Sequence, residues 1–175
     1  MKKSFKLILF IPLLLLFIQS SCKKDTPKIT TYGPYQFAAK VNGQDFMPSG
    51  DYLNPPLDFQ LLASNTSGKY DFYIMAFRNN ESSIELYIDD FKGVGTYPLK
   101  LYTIGYPQVP HPPSCGMYRM NSSNHPLWVT NSIDTGSVTF TEYSGGKTKC
   151  YFFFKAKNLQ DTTKVEVTNG YFSIN

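Results

Sequence analysis

The feature that most constrains the fold of this chain is a repeat of period two, in which apolar side chains occupy every second position. The repeat is plainest in Ser83–Asp89 and runs longest in Thr148–Lys157, where one face would carry Cys150, Phe152, Phe154 and Ala156. Successive side chains of a β-strand point to opposite faces, so the repeat predicts strands with one face in a core. No helical period extends over eleven residues or more after position 22, and we therefore expect an all-β chain.

Glycine and asparagine mark the ends of the predicted strands. Asn42-Gly43 and Ser144–Lys147 predict tight hairpin turns, because both central positions of a type I′ turn need a positive φ. Asn169-Gly170 predicts a further turn, between the strands Lys164–Val167 and Tyr171–Ile174. About ten short strands result, and they predict an antiparallel β-sandwich or a partly open β-barrel.

The N-terminus has the pattern of an export signal. Three lysines at positions 2, 3 and 6 precede the apolar run Leu7–Ile18, and Ser20-Ser21 then leads to Cys22. A helix needs about 20 apolar residues to cross a bilayer, so this run is too short to span one. Residues 1–21 are therefore predicted to be a signal peptide.

Ser20-Ser21-Cys22 resembles the bacterial lipobox, although Gln19 stands where an aliphatic residue is usual. The resemblance implies cleavage before Cys22, a thioether-linked diacylglycerol on its sulfur, and a palmitate-type acyl chain on its amino group. Lys23 follows the cysteine in place of the aspartate that favours inner-membrane retention. The resemblance thus implies a lipoprotein of the Gram-negative outer membrane, facing either the periplasm or the outside; an ordinary secretory signal is the alternative.

The rest of the chain divides into a tether and one domain. Residues 22–34 are polar, contain Pro27 and Pro34 and show no period, so they predict a tether; residues 35–175 predict a single β-domain. Without the three lysines of the signal, 14 basic residues face 13 acidic ones, a net charge of +1. This near-neutral balance gives no electrostatic reason to expect a nucleic-acid partner.

Two cysteines remain after the signal, Cys115 and Cys150. An exported protein meets an oxidising compartment, so we expect them to form a disulfide that closes a loop of about 35 residues. Two buried free thiols are the alternative.

Residues that carry chemistry are few. His111, Cys115 and His125 are too widely spaced for a structural zinc site, and the acidic residues are scattered apart from Asp89-Asp90, which is expected to be a turn or a solvated strand end. No motif frames Ser114 or Cys115 as a nucleophile. We therefore expect no catalytic residue, no metal and no cofactor.

Aromatic residues make up 16% of the chain and fall into two groups. The first group occupies the second face of predicted strands, where we expect core positions, with contact to a sugar or a partner as the alternative: Tyr73, Phe77, Tyr87, Tyr151 and Phe153. The second group lies in or beside the proline-rich stretch Ile104–Pro126, which is long for a connection and so a candidate binding loop. Its members are the candidate ligand contacts, with core packing as their alternative: Tyr102, Tyr106, Tyr118 and Trp128.

The order of several short motifs resembles a family of uncharacterised β-rich bacterial lipoproteins. The motifs are Phe37–Phe46 with its Asn-Gly turn, Gly93–Tyr97, Gly136–Thr141, Tyr151–Phe154 and Thr168–Phe172. The resemblance implies a lipid-anchored β-domain and carries no established activity.

Together these patterns predict a lipid-anchored protein of the cell envelope, held to the membrane by its N-terminal lipid. We expect a non-catalytic binding or accessory module for a glycan or an envelope protein. A structural lipoprotein without a small-molecule ligand is the alternative.

Overall fold

The computed structural model describes residues 26–50, 55–63, 70–79, 81–100, 113–121 and 126–175. Within these ranges the chain is all-β, without a helix, and every strand pairing is antiparallel. The strands, in chain order, are β1 (Thr30–Tyr32), β2 (Tyr35–Val41), β3 (Gln44–Phe46), β4 (Leu57–Ala63), β5 (Tyr70–Arg78), β6 (Ser82–Ile88), β7 (Gly95–Leu99), β8 (Cys115–Met120), β9 (Leu127–Val129), β10 (Gly136–Ser144), β11 (Lys147–Asn158) and β12 (Lys164–Ile174).

One sheet curls into a nearly closed, barrel-like form, as the strand pattern predicts. Its main path runs β1-β2-β12-β11-β9-β8-β6-β5-β4. β10 pairs with the same edge of β11 as β9 does, and β7 pairs in turn with β10. We call β2, β12, β11 and β10 the front wall, and β5, β6, β8 and β9 the back wall. The inner faces of both walls share a single core.

Aromatic rings fill that core and join the two walls. Phe72 of the back wall packs edge-on against Phe140 of the front wall, with ring centroids 4.9 Å apart. Phe59 on β4 lies 6.3 Å from Phe172 on β12, so the last strand of the path meets the front wall across the interior. Ring contacts of this kind add about 0.5–1.5 kcal/mol each beyond the area they bury.

The hairpin predictions at both ends of the chain are confirmed. Asn42 and Gly43 have φ values of 50° and 80°, and Val41 pairs directly with Gln44. Ser144 pairs with Lys147 around two glycines that also have positive φ.

The turn predicted at Asn169-Gly170 is wrong. Lys164–Ile174 is one continuous strand, and the two residues form a bulge between Thr168 and Tyr171 with Asn169 at φ 51°. β2 and β11 pair with β12 on both sides of this bulge, so the strand continues beyond it. Gly170 is required there because an added Cβ would lie 2.3 Å from the ring of Phe152.

The predicted tether is wrong in its C-terminal part. Thr30–Tyr32 forms β1, which pairs with Tyr35–Phe37 of β2, and Pro27 is already buried. The ordered domain therefore includes residues before the predicted start at 35. Residues 1–25, with Cys22, lie outside the described part of the chain.

β5 is covered on both faces, and the core position predicted for Tyr73 is thereby confirmed. Phe72 and Ile74 lie in the core, whereas Tyr73 is 7% exposed on the outer face of the back wall. There it belongs to a second group of buried side chains, which we call the outer cluster: Tyr73, Tyr87, Cys115, Met117 and Val129.

Candidate ligand groove

A groove of about 850 Å³ lies along the outer face of the front wall. Its floor comes from β10, β11 and β12, and the segment before β1 supplies part of its rim. Pockets that bind small ligands have volumes of about 300–1,000 Å³ and combine an apolar lining with a few polar groups. The groove has both properties.

Three aromatic side chains give the groove its apolar surface. Tyr151 and Phe153 stand on β11 and are 48% and 56% exposed. Tyr171 on β12 pairs directly with Tyr151 in the sheet, and the two ring centroids lie 5.4 Å apart at an angle of 48°. Two rings held side by side by strand register form a platform that needs little rearrangement to receive a flat apolar surface.

Hydroxyl and amine groups surround these rings. Ser137 and Thr139 line the groove from β10, and Thr139 Oγ1 lies 3.0 Å from Thr96 Oγ1 on the neighbouring strand. Lys149 lines it from β11, and no ion pair to it occurs among the residues that the structure describes. Donors and acceptors therefore stand within reach of any molecule that covers the rings.

Two of the four predicted ligand contacts lie elsewhere, and that prediction is wrong for them. Tyr118 and Trp128 are 7% and 9% exposed, pair across β8 and β9, and pack with ring centroids 5.6 Å apart in the main core. Trp128 Nε1 also donates a hydrogen bond to Thr163 Oγ1 at 3.1 Å. Both residues lie on strands rather than in a surface loop, so their rings serve the core. Tyr102 and Tyr106 lie outside the described residues.

The predicted disulfide is also wrong, because both cysteines are free and buried. Cys150 lies on the inner face of β11 within the main core, whereas Cys115 belongs to the outer cluster on the far side of the back wall. A sheet separates the two thiols, so they cannot meet without unfolding.

Of the two side chains considered as nucleophiles, Cys115 is unsuited to that role. Burial and the nearby charge of Glu85 raise the pKa of the Cys115 thiol to about 12, and nucleophilic attack needs the thiolate. Ser114 Oγ accepts a hydrogen bond from the backbone N–H of Asp89 at 2.9 Å. His111 and His125 lie outside the described residues, within which no group of three potential metal ligands occurs.

A buried carboxylate on the back wall is held by three hydrogen bonds. Glu85, 5% exposed, accepts from Tyr73 Oη at 2.9 Å, from Ser83 Oγ at 2.8 Å and from Arg119 Nε at 3.1 Å. A buried carboxylate with this many donors is stabilised as a structural ion pair. We therefore assign Glu85 to folding and not to catalysis.

The groove residues Tyr151 and Phe153 were predicted to be core, and that prediction is wrong. Their strand carries lysines at the alternate outward positions 149, 155 and 157, and lysine is almost never fully buried without a partner. No such lysines flank Tyr73 or Tyr87, which the same prediction placed correctly. Lysine in the same register is thus the signal that marks an outward aromatic face as exposed.

Comparison of the chain with family models, with curated proteins and with solved structures found no match. Among the described residues, no helix has the length and apolar character that a membrane span requires.

Proposed function

We propose that this chain is a lipid-anchored, non-catalytic binding module of the cell envelope, and that it holds a glycan in the groove of the front wall. The observation that carries the proposal is a platform of the exposed rings of Tyr151 and Phe153 and the half-buried ring of Tyr171, inside a concave, hydroxyl-lined site. The lipid attachment at Cys22 rests on the lipobox pattern, and the family resemblance agrees with it.

A sugar ring matches this combination of groups. One face of a pyranose ring presents mainly C–H bonds, which pack on an aromatic face, while its edge presents hydroxyls that need donors and acceptors. Tyr151 and Phe153 supply the first kind of contact, and Ser137, Thr139 and Lys149 supply the second. Such a site binds by stacking and hydrogen bonding and needs neither a nucleophile nor a metal.

The test is a glycan array probed with the mature protein in detergent, followed by titration calorimetry with any glycan that binds. Tyr151→Ala and Phe153→Ala should each weaken binding about tenfold or more, equivalent to about 1.4 kcal/mol. Tyr70→Ala is the matched control, since Tyr70 is also 48% exposed but stands on β5, outside the groove. It should bind as tightly as the unaltered protein.

Three results would contradict the proposal. An array without a binding glycan would favour the structural alternative, particularly if affinity capture from envelope extracts also failed. Unaltered affinity in both groove variants would place the site elsewhere. Equal loss in Tyr70→Ala would show that the groove variants act through general destabilisation.

A further inference from the structure

The chain leaves the domain at the rim of the groove. Thr26, Pro27 and Ile29 line the groove together with β11 and β12, and Pro27 is buried there. The N-terminal end of the described chain is therefore part of the binding site and does not depart from another face of the molecule.

The predicted lipid site is only four residues before that rim. The chain spans at most about 3.3–3.6 Å per residue, so Cys22 and Thr26 are separated by no more than about 14 Å. The headgroup layer of a bilayer is about 5–8 Å thick on each side. A lipid on Cys22 thus holds the rim of the groove within reach of the headgroups of the same membrane.

The charge on this face suits such a surface. Two lysines flank two aromatic side chains on the outward face of β11, in the order Lys149, Tyr151, Phe153 and Lys155. Lys155 is paired with Glu166 at 3.4 Å, which leaves Lys149 as the cation that lines the groove. Lys28, on the exposed segment before β1, adds a second positive charge beside the rim.

We infer that the groove binds the saccharide headgroup of an anionic glycolipid in the membrane that holds Cys22. The inference rests on the proposed function and names its ligand. A surface that docks on plain phospholipid would be expected to protrude and to carry apolar tips into the interface. This site is instead concave and lined by hydroxyls, which favours a sugar. Lys149 in the groove and Lys28 beside its rim favour a phosphorylated one.

The experiment uses the mature acylated protein in phosphatidylcholine vesicles, with an environment-sensitive fluorophore on Thr168→Cys at the edge of the groove. The native thiols are buried, so the introduced cysteine is labelled selectively. Lipid A, a phosphorylated glycolipid, is added at increasing mole fraction, and phosphatidylglycerol of equal charge is added in parallel. The same fluorophore on Tyr70→Cys, outside the groove, is the control for changes that do not depend on the groove.

Lipid A should change the emission at residue 168 but not at residue 70, and phosphatidylglycerol should leave both unchanged. With Phe153→Ala, the mole fraction of lipid A that gives half of the response should rise about tenfold. A Gly-Ser insertion of about twenty residues between positions 25 and 26 should weaken the response, because it lowers the effective concentration of membrane ligand at the groove.

The inference would be overturned by an equal response to phosphatidylglycerol, which indicates charge-driven docking without saccharide recognition. It would also be overturned if the emission of the groove fluorophore stayed unchanged in every vesicle. If a soluble glycan nevertheless bound on the array, the proposed glycan binding would stand without the glycolipid inference. If neither assay gave a response, both proposals would be wrong. A response that the insertion leaves unchanged would show that the short link to Cys22 has no role.

Discussion

The outer faces of the two walls contain the same kinds of side chain in opposite environments. On the back wall, Tyr87 and Met117 are each 2% exposed and form a continuous buried cluster with Cys115. On the front wall, Tyr151 and Phe153 are about half exposed and line a groove. Both pairs lie at alternate positions whose neighbours face the common core.

The difference lies in the charged residues that accompany the rings. The back wall has two buried carboxylates, and both accept hydrogen bonds from neighbouring groups. Glu85 accepts from three side chains, and Asp71 accepts from the backbone N–H of Asp90. On the front wall, lysines occupy outward-facing positions of β11, as the rings do, and their charged ends need contact with water. An aromatic face is therefore buried on one side of the molecule and exposed on the other.

The largest contrast should appear in thiol reactivity. A pKa of about 12 leaves the Cys115 thiol with roughly one three-thousandth of the thiolate that an exposed cysteine has at neutral pH, since the unperturbed pKa is about 8.5. Burial raises the pKa of Cys150 as well. With Phe153→Cys as an exposed internal reference, iodoacetamide at pH 8 should modify residue 153 more than a thousandfold faster than either native thiol, as followed by mass spectrometry.

The same assay in denaturant without a reductant should label both native cysteines, because they are free. If the mass showed that neither Cys115 nor Cys150 was labelled, the result would support the predicted disulfide. The raised pKa also has a stability consequence: the contribution of the protonated Cys115 thiol is complete below its unfolded pKa. It is lost as the pH rises from about 8.5 towards 12.

The next contrast is in packing. Tyr87→Ala removes a fully buried ring from the outer cluster and should lower the free energy of unfolding by about 3–5 kcal/mol, as large-to-small core substitutions do. Tyr151→Ala should lose about 1 kcal/mol, mainly the ring contact with Tyr171. Urea denaturation measures both. Similar values for the two variants would mean that the walls do not differ in the way their exposure indicates.

Most of the strands were predictable from the sequence because alternation and turn residues are local signals. The edge position of β7 likewise follows from Pro98, which cannot donate a ladder hydrogen bond, and β7 pairs with β10 alone among the described strands. The bulge at Asn169-Gly170 was not predictable. The same dipeptide makes a turn or a bulge according to whether neighbouring strands continue past it, which is a property of the tertiary fold.

The site was predicted less well than the fold for a related reason. Period two shows that Trp128 and Tyr151 each lie on one side of a strand, but not which side a second layer covers. Trp128 was therefore expected in a binding loop and lies in the core, and Tyr151 was expected in the core and lies in the groove. The lysines beside Tyr151 are the local evidence that would have separated the two.

Electrostatics should distinguish the walls by a smaller amount. Glu85→Gln keeps the shape of the side chain but removes the negative charge to which Arg119 and two hydroxyls donate hydrogen bonds. It should lower the free energy of unfolding by about 1–3 kcal/mol. Glu166→Gln is the matched control on the front wall, where Glu166 and Lys155 are both more than half exposed. A surface pair of this kind contributes about 0–1 kcal/mol. Equal effects in thermal unfolding would argue against a buried ion pair on the back wall.

The smallest change in stability is expected where the function is proposed. Phe153→Thr keeps a residue that favours β-strands and removes a ring that is 56% exposed, so the free energy of unfolding should change by no more than about 0.5 kcal/mol. Its glycan affinity should nevertheless fall as in Phe153→Ala, because the apolar surface of the groove is reduced. Urea denaturation and calorimetry on the same sample separate the two quantities. A loss of several kcal/mol would show that Phe153 supports the sheet, and the front wall would then resemble the back wall in being built for stability.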